Sequence, residues 1–116
     1  MPRLPPNTRV FLCTAPTDMR KSFNGLVAAT KQLIRQDPAS GHLFVYVNRK
    51  RDMTKVLYYE RGGFCLWAKR LEQGRFAVVA GDDGVAPLSD TQLQMWLDGI
   101  ELDRVQRKRF VLKTAA

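Results

Sequence analysis

Leu43-Phe44-Val45-Tyr46-Val47 is apolar at every position. In an extended strand successive side chains point to opposite faces, so this run offers apolar groups to both. The strand it forms is therefore expected at the centre of a sheet, or buried by a partner. Two further runs, 54–60 and 64–70, are rich in β-branched and aromatic residues, and Arg61-Gly62-Gly63 marks a tight turn between them. A three-strand meander over 43–48, 54–60 and 64–70 follows. Its first connection is Arg49-Lys50-Arg51-Asp52-Met53, the densest positive charge in the chain.

The flanking segments suggest what covers this sheet. Residues 9–13, RVFLC, read as a short buried strand. In 17–38, Met19, Phe23, Leu26, Val27, Thr30, Leu33 and Ile34 recur at helical spacing, one apolar stripe over about 19–35. Thr17 or Asp18 is suited to cap its start, and Pro38 prevents continuation. GRFAVV after the Gly74 turn reads as another strand, and GDDG at 81–84 as a turn. Ser89 followed three residues later by Gln92 is a capping box opening a helix over 89–98, expected at an end or edge of the sheet. These elements predict an α+β fold: an antiparallel sheet of four to five strands, one long helix packed on a face, and a shorter C-terminal helix. The 116 residues suit a single domain over 1–103. The basic tail, 104–116, reads equally as disordered, a last strand or a helix end.

Charge is segregated. Residues 1–75 carry 14 Lys/Arg against 5 Asp/Glu, a balance of +9. Residues 76–103 carry 6 Asp/Glu and no Lys/Arg, and the tail carries 5 Lys/Arg and no acid. Such asymmetry points to a polyanion-binding body with an acidic segment of different use, or to solvated surfaces of both signs. The start, MPRLPPNTRV, has no apolar segment after its cation, and no stretch approaches a membrane span. The expectation is a cytoplasmic protein without membrane contact. Cys13 and Cys65 lie in apolar runs and suit buried free thiols.

No catalytic constellation is visible. His42 is the only histidine and follows a turn glycine, a place for a strand-end residue rather than a base. Asp82 and Asp83 could serve a metal nuclease, but GDDG is also what a plain turn looks like. No phosphate-cradling or dinucleotide motif appears, so no cofactor or metal is expected. The cations offer more. Arg49, Lys50, Arg51 and Lys55 flank a hairpin, Lys69 and Arg70 end the next strand, and Arg75 begins the segment after it. Strand ends of a meander return to common edges, so these groups can neutralise phosphates together. Arg20 and Lys21, at the helix start, are weaker candidates of the same kind. Tyr46, Tyr58, Tyr59, Phe64 and Trp67 interleave with the cations and read either as stacking platforms or, at strand spacing, as core.

Three stretches carry a resemblance. LPPNTRVFL (4–12), TDMRKSFNGL (17–26) and GHLFVYVNRKRDMTKVLYYERGGFCLWAKRLEQGRF (41–76) resemble the accessory proteins called TnpB, encoded by the second open reading frame of bacterial insertion sequences of family sixty-six. The similarity covers residues 4–100. The family pattern has an acid where this chain has Asn24. The resemblance implies a bacterial protein that assists a separate transposase and carries no catalytic residues of its own.

Two functions are expected from these readings. The first is a non-enzymatic accessory factor of transposition that binds DNA, at the element ends, through Arg49, Lys50, Arg51, Lys55, Lys69, Arg70 and Arg75, with Arg20 and Lys21. The alternative is an adaptor that docks the transposase through its acidic C-terminal helix, using Trp96, Asp98 and Glu101. Trp96 reads there either as an exposed anchor or as core. Homo-oligomerisation is compatible with both.

Overall fold

A computed structural model describes residues 4–99. The elements run β1 (Val10–Cys13), α1 (Phe23–Ala29) continued by a π-helical stretch (Thr30–Ile34), β2 (Leu43–Val47), β3 (Met53–Glu60), β4 (Gly63–Arg70), β5 (Val85–Leu88) and α2 (Asp90–Leu97). The strands form one sheet in the order β4-β3-β2-β1-β5.

As the Leu43–Val47 run requires, β2 is central and buried at every position. Phe44 and Tyr46 face one core with Cys13, Leu26, Ala29, Ile34 and Leu57. Leu43, Val45 and Val47 face the other with Leu12, Phe76, Leu93, Trp96 and Leu97. The sheet is thus the middle of three layers, with α1 on one face and α2 plus residues 76–77 on the other. α2 covers a face rather than an end or edge, because its apolar stripe is needed over the odd-numbered side chains of β2.

The meander β2-β3-β4 pairs antiparallel as its turns dictate, and β5 pairs antiparallel with β1. β1 and β2, however, are parallel, Val10 standing opposite Leu43. The sheet is therefore mixed rather than antiparallel. The connection between them contains α1 and is long enough for a crossover, which the strands' own pattern does not reveal. The fifth strand is also not the expected one. Residues 75–80 have no sheet pairing, while Val85–Leu88 forms the edge beside β1. Pro87 disguises this strand, and an edge is where a strand tolerates a residue without an amide hydrogen.

α1 starts at Phe23, later than the stripe suggests. Asp18 Oδ1 instead accepts the Arg20 amide at 2.9 Å, and the Lys21 amide donates to the Asp18 carbonyl, so 18–21 is a turn. Ser22 occupies the N-cap without a side-chain bond. Phe23 and Leu33 fall off the buried face and are exposed. The helix widens after Ala29. There the buried Thr30 hydroxyl donates back to the Leu26 carbonyl at 2.8 Å and bonds to the Tyr46 hydroxyl, a side-chain claim on the ladder that loosens helices. At the other end of the chain the capping box forms as expected, with Gln92 N donating to Ser89 Oγ at 3.1 Å and Ser89 N to Gln92 Oε1 at 2.9 Å.

The Tyr46 phenol has a consequence in alkali. Burial is the main cause that pushes it up to about 12 from 10. Its folded state holds the proton more tightly than the unfolded state, so its contribution is whole below pH 10 and is lost as pH rises toward 12. Tyr58 is raised too, by burial, and acts in the same direction. Tyr46→Phe is expected to cost about 1 kcal/mol at neutral pH for the lost hydrogen bond. It should also flatten much of the alkaline loss of stability. Urea midpoints of both proteins between pH 8 and about 11.5 measure this; identical slopes would refute it.

Candidate nucleic-acid interface

The first hairpin tip is built by Asn48. Its Oδ1 accepts the amides of Asp52 (3.0 Å) and Met53 (3.1 Å), and its Nδ2 donates to Asp52 Oδ1 (2.6 Å). The Arg51 amide closes the turn on the Asn48 carbonyl, and Arg51 itself sits at φ 60°. An arginine in the left-handed region is held there only by surroundings that over-determine it. The carboxylate of Asp52 is occupied inside the loop, while Arg49 and Lys50 are exposed. The tip thus presents cations from a pinned backbone. Asparagine's habit of bonding backbone amides in turns was the available signal for Asn48, which charge counting passed over.

Backbone bonds draw the other basic segments to the same end of the sheet. Leu71 N donates to the Asp52 carbonyl (2.8 Å), bringing Arg70 alongside Met53. Phe76 N donates to the Arg51 carbonyl (2.7 Å), bringing Arg75 beside the tip. Thr17 N donates to the Val47 carbonyl (2.8 Å), and Lys55 Nζ donates to the Lys21 carbonyl (2.8 Å), so the loop bearing Arg20 and Lys21 joins them. The third strand does return to the first connection, as meander geometry predicts. A depression of about 180 Å³ lies beside the tip, walled by Leu12, Val47, Val78 and Val79, with Arg49 and Arg51 in its lining.

Not every cation is free. Arg20 is paired with Asp18 at 2.7 Å, and its hydrogen bonds hold that carboxyl down at about 2. Arg70 pairs with Glu72 at 3.2 Å. Lys69 is diverted: its Nζ donates to the Leu97 carbonyl at 2.8 Å and lies 4.0 Å from Asp98 Oδ1, capping the end of α2. Lys21, Arg49, Lys50, Arg51 and Arg75 have no ion pair among the described residues. Asp82 and Asp83 precede β5 at the far edge, where Asp83 pairs with Arg35 at 3.2 Å. Among the described residues no three His, Cys, Asp or Glu converge as metal ligands. His42 Nδ1 accepts the Arg9 amide at 3.0 Å, a strand-end bond between β1 and β2.

The proposed docking helix is changed most. Trp96 is fully buried, stacked on Phe76 with centroids 4.5 Å apart, its Nε1 donating to the Ala77 carbonyl at 2.9 Å. It is core and not an exposed anchor, because it is the largest side chain available to fill the α2 side of the sheet. Tyr46 is likewise buried, and Tyr58, Tyr59, Phe64 and Trp67 are half-buried. Glu101 and the tail 104–116 lie outside the described residues. Among those residues no helix is long and apolar enough to cross a membrane.

A family model described as "IS66 Orf2 like protein" matches residues 8–107. The chain belongs to the IS66 Orf2-like family. The resemblance seen in 4–12, 17–26 and 41–76 thus holds over most of the chain. Two curated relatives come from Sinorhizobium fredii (strain NBRC 101917 / NGR234), and both bear the description of uncharacterized protein. One, y4hO, is 36% identical over 95 residues, 82% of this chain and 83% of its own length. The other, y4jC, is 32% identical over 100 residues, 86% of each. No solved structure matches the chain. IS66 Orf2-like proteins are accessory proteins of an insertion sequence, which ties the chain to transposition without assigning it a reaction.

Proposed function

We propose that this IS66 Orf2-like protein is a non-catalytic accessory factor of transposition that holds DNA through the basic end of its sheet. The observation that carries the reading is the gathering of Arg20, Lys21, Arg49, Lys50, Arg51, Lys55, Arg70 and Arg75 where three loops meet. Arginines on a pinned hairpin suit bidentate contact with phosphate, and lysines add point charge. Such contacts position a duplex and make affinity salt-dependent; they do not read bases. Any preference for the element ends has to come from groove contacts or DNA shape. The separate transposase is the second partner of the reading, reached through the same DNA or directly.

Fluorescence anisotropy against a labelled duplex of the element's terminal repeat and a scrambled duplex, over a salt series, tests this. Binding with a steep negative salt slope is expected for both duplexes. A tighter affinity for the terminal repeat would make the protein an end-recognition factor. Absence of binding at low salt would overturn DNA holding and leave transposase docking as the function.

A further inference from the structure

Among the described residues β4 is an outer strand of the sheet and pairs with β3 alone. Its hydrogen-bonding phase can be read from its end. Met53 stands opposite Arg70, so Asp52 stands opposite Leu71, and that pair is bonded through Leu71 N and the Asp52 carbonyl. Along an antiparallel strand, residues alternate between turning N–H and C=O toward the partner and away from it. Residues 63, 65, 67 and 69 therefore face β3, while Phe64, Leu66, Ala68 and Arg70 aim their backbone groups outward. The turn at the other end demands the same phase. Arg61 and Gly62, at φ 51° and 83°, form a two-residue loop of the kind that closes on a bonded pair, here Glu60 and Gly63. Among the described residues no loop backbone group bonds to the four outward residues.

Apart from the two cations at its end, Lys69 and Arg70, this edge lacks the usual protection. Its register with β3 runs through eight consecutive pairs without a bulge, and it contains no proline. The opposite edge, β5, is four residues long and carries Pro87. Unprotected edges of this length are templates for another strand.

We propose that β4 is an interface for a second copy of this chain, the two β4 strands pairing antiparallel about a two-fold axis at Trp67. That register bonds Phe64 to Arg70 and Leu66 to Ala68 in both directions, so all four outward residues of each copy find partners. Trp67 meets Trp67 of the second copy at a non-hydrogen-bonded position, where cross-strand side chains are closest. Charge selects this occupant. In a chain of net charge +8, antiparallel pairing sets Lys69 against Cys65 and Arg70 against Phe64, so no cation faces another. The chain's own tail, with its five Lys/Arg in 104–116, would lay cations beside Lys69 and Arg70. The joined sheets leave the two basic ends at opposite ends of the β4 pair, one per copy.

Sedimentation equilibrium of the full chain over a wide concentration series tests this. The wild type is expected to reach twice the mass of one chain. Ala68→Pro removes an outward amide that β3 does not use, and is expected to yield a monomer with unchanged far-UV circular dichroism. Ala68→Lys keeps the amide but brings the two introduced ammoniums to diagonal positions across the axis, where like charges repel, and is expected to yield a monomer as well, so a misfolded proline variant does not decide the question. Trp67→Cys with Cys65→Ser is expected to form a disulfide-linked dimer on oxidation, since Cα atoms of a non-hydrogen-bonded pair lie about 4.5 Å apart. A wild type that stays monomeric, or a dimer that both Ala68 variants leave intact, would overturn the proposal. So would a chain that dimerises only after removal of residues 100–116, which would assign the edge to the tail.

Discussion

Neutralising Arg49, Lys50 and Arg51 together, as Arg49→Gln, Lys50→Gln and Arg51→Gln, is expected to weaken duplex binding by tenfold or more at moderate salt. The slope of log affinity against log salt should become shallower by up to about 2.7, since each lost phosphate contact removes about 0.9 from it. The loss should be similar for terminal-repeat and scrambled duplexes, because phosphate contacts carry no sequence information. Stability should change little. Arg49 and Lys50 are exposed, and the loop is held by Asn48 side-chain bonds and backbone groups that the substitutions leave in place. Arg51 sits at φ 60°, and glutamine there bears the same backbone strain, so the loop keeps its shape. Lys69→Gln is the informative control. Its ammonium is engaged with the end of α2, so it should weaken binding far less than any of the tip cations. Unchanged affinity and slope in the triple variant would remove the hairpin tip from the interface. A large loss with Lys69→Gln would mean that its bond to Leu97 breaks on DNA.

Trp96→Ala should be among the most destabilising substitutions in the chain, at about 3–5 kcal/mol. Three losses coincide: the ring's buried area, its stacking on Phe76, and the bond from Nε1 to the Ala77 carbonyl. That carbonyl belongs to the unpaired stretch 75–80, so the indole also ties this segment to α2. With a domain of this size stable by about 5–15 kcal/mol, the loss consumes a large part of the margin. Trp96→Phe keeps most of the volume and the stacking but leaves the carbonyl without its donor, and is expected to cost about 1–3 kcal/mol. Urea unfolding followed by far-UV circular dichroism gives both values, and Trp67 remains as a fluorescent reporter. A loss under about 1 kcal/mol for Trp96→Ala would contradict the burial of the indole. Trp96→Phe should bind DNA like the wild type, because the ring is sealed between α2 and the sheet. Any partner that docks on α2 has to use its exposed groups, Asp90 and Asp98 among them.

Several features were legible in the residues alone, and each rests on short-range physics. The Leu43–Val47 run implied a covered central strand because a two-residue side-chain period leaves no polar face. The β2-β3-β4 meander followed from turn residues a few positions apart. The capping box at Ser89 and Gln92 needed only one helical turn. The basic tip between β2 and β3 followed from the same local signals, and the family was written in long ordered motifs.

Tertiary structure decided what depends on distant partners. Whether β1 runs parallel to β2 is a choice of crossover over a 29-residue connection, and nothing local distinguishes it from an antiparallel return. Residues 75–80 and 85–88 have similar strand character, but only the second found a free edge, beside β1, that accepts Pro87. Trp96 is core and the Lys69 ammonium sits at the end of α2 for one reason. An amphipathic side chain goes where its whole surface is best satisfied, and α2 offered Trp96 a cavity over the sheet and Lys69 a set of unpaired carbonyls. The length and phase of the outer edge of β4 among the described residues likewise emerged only once the pairing was known, because a strand's outward groups are those its partner leaves unused.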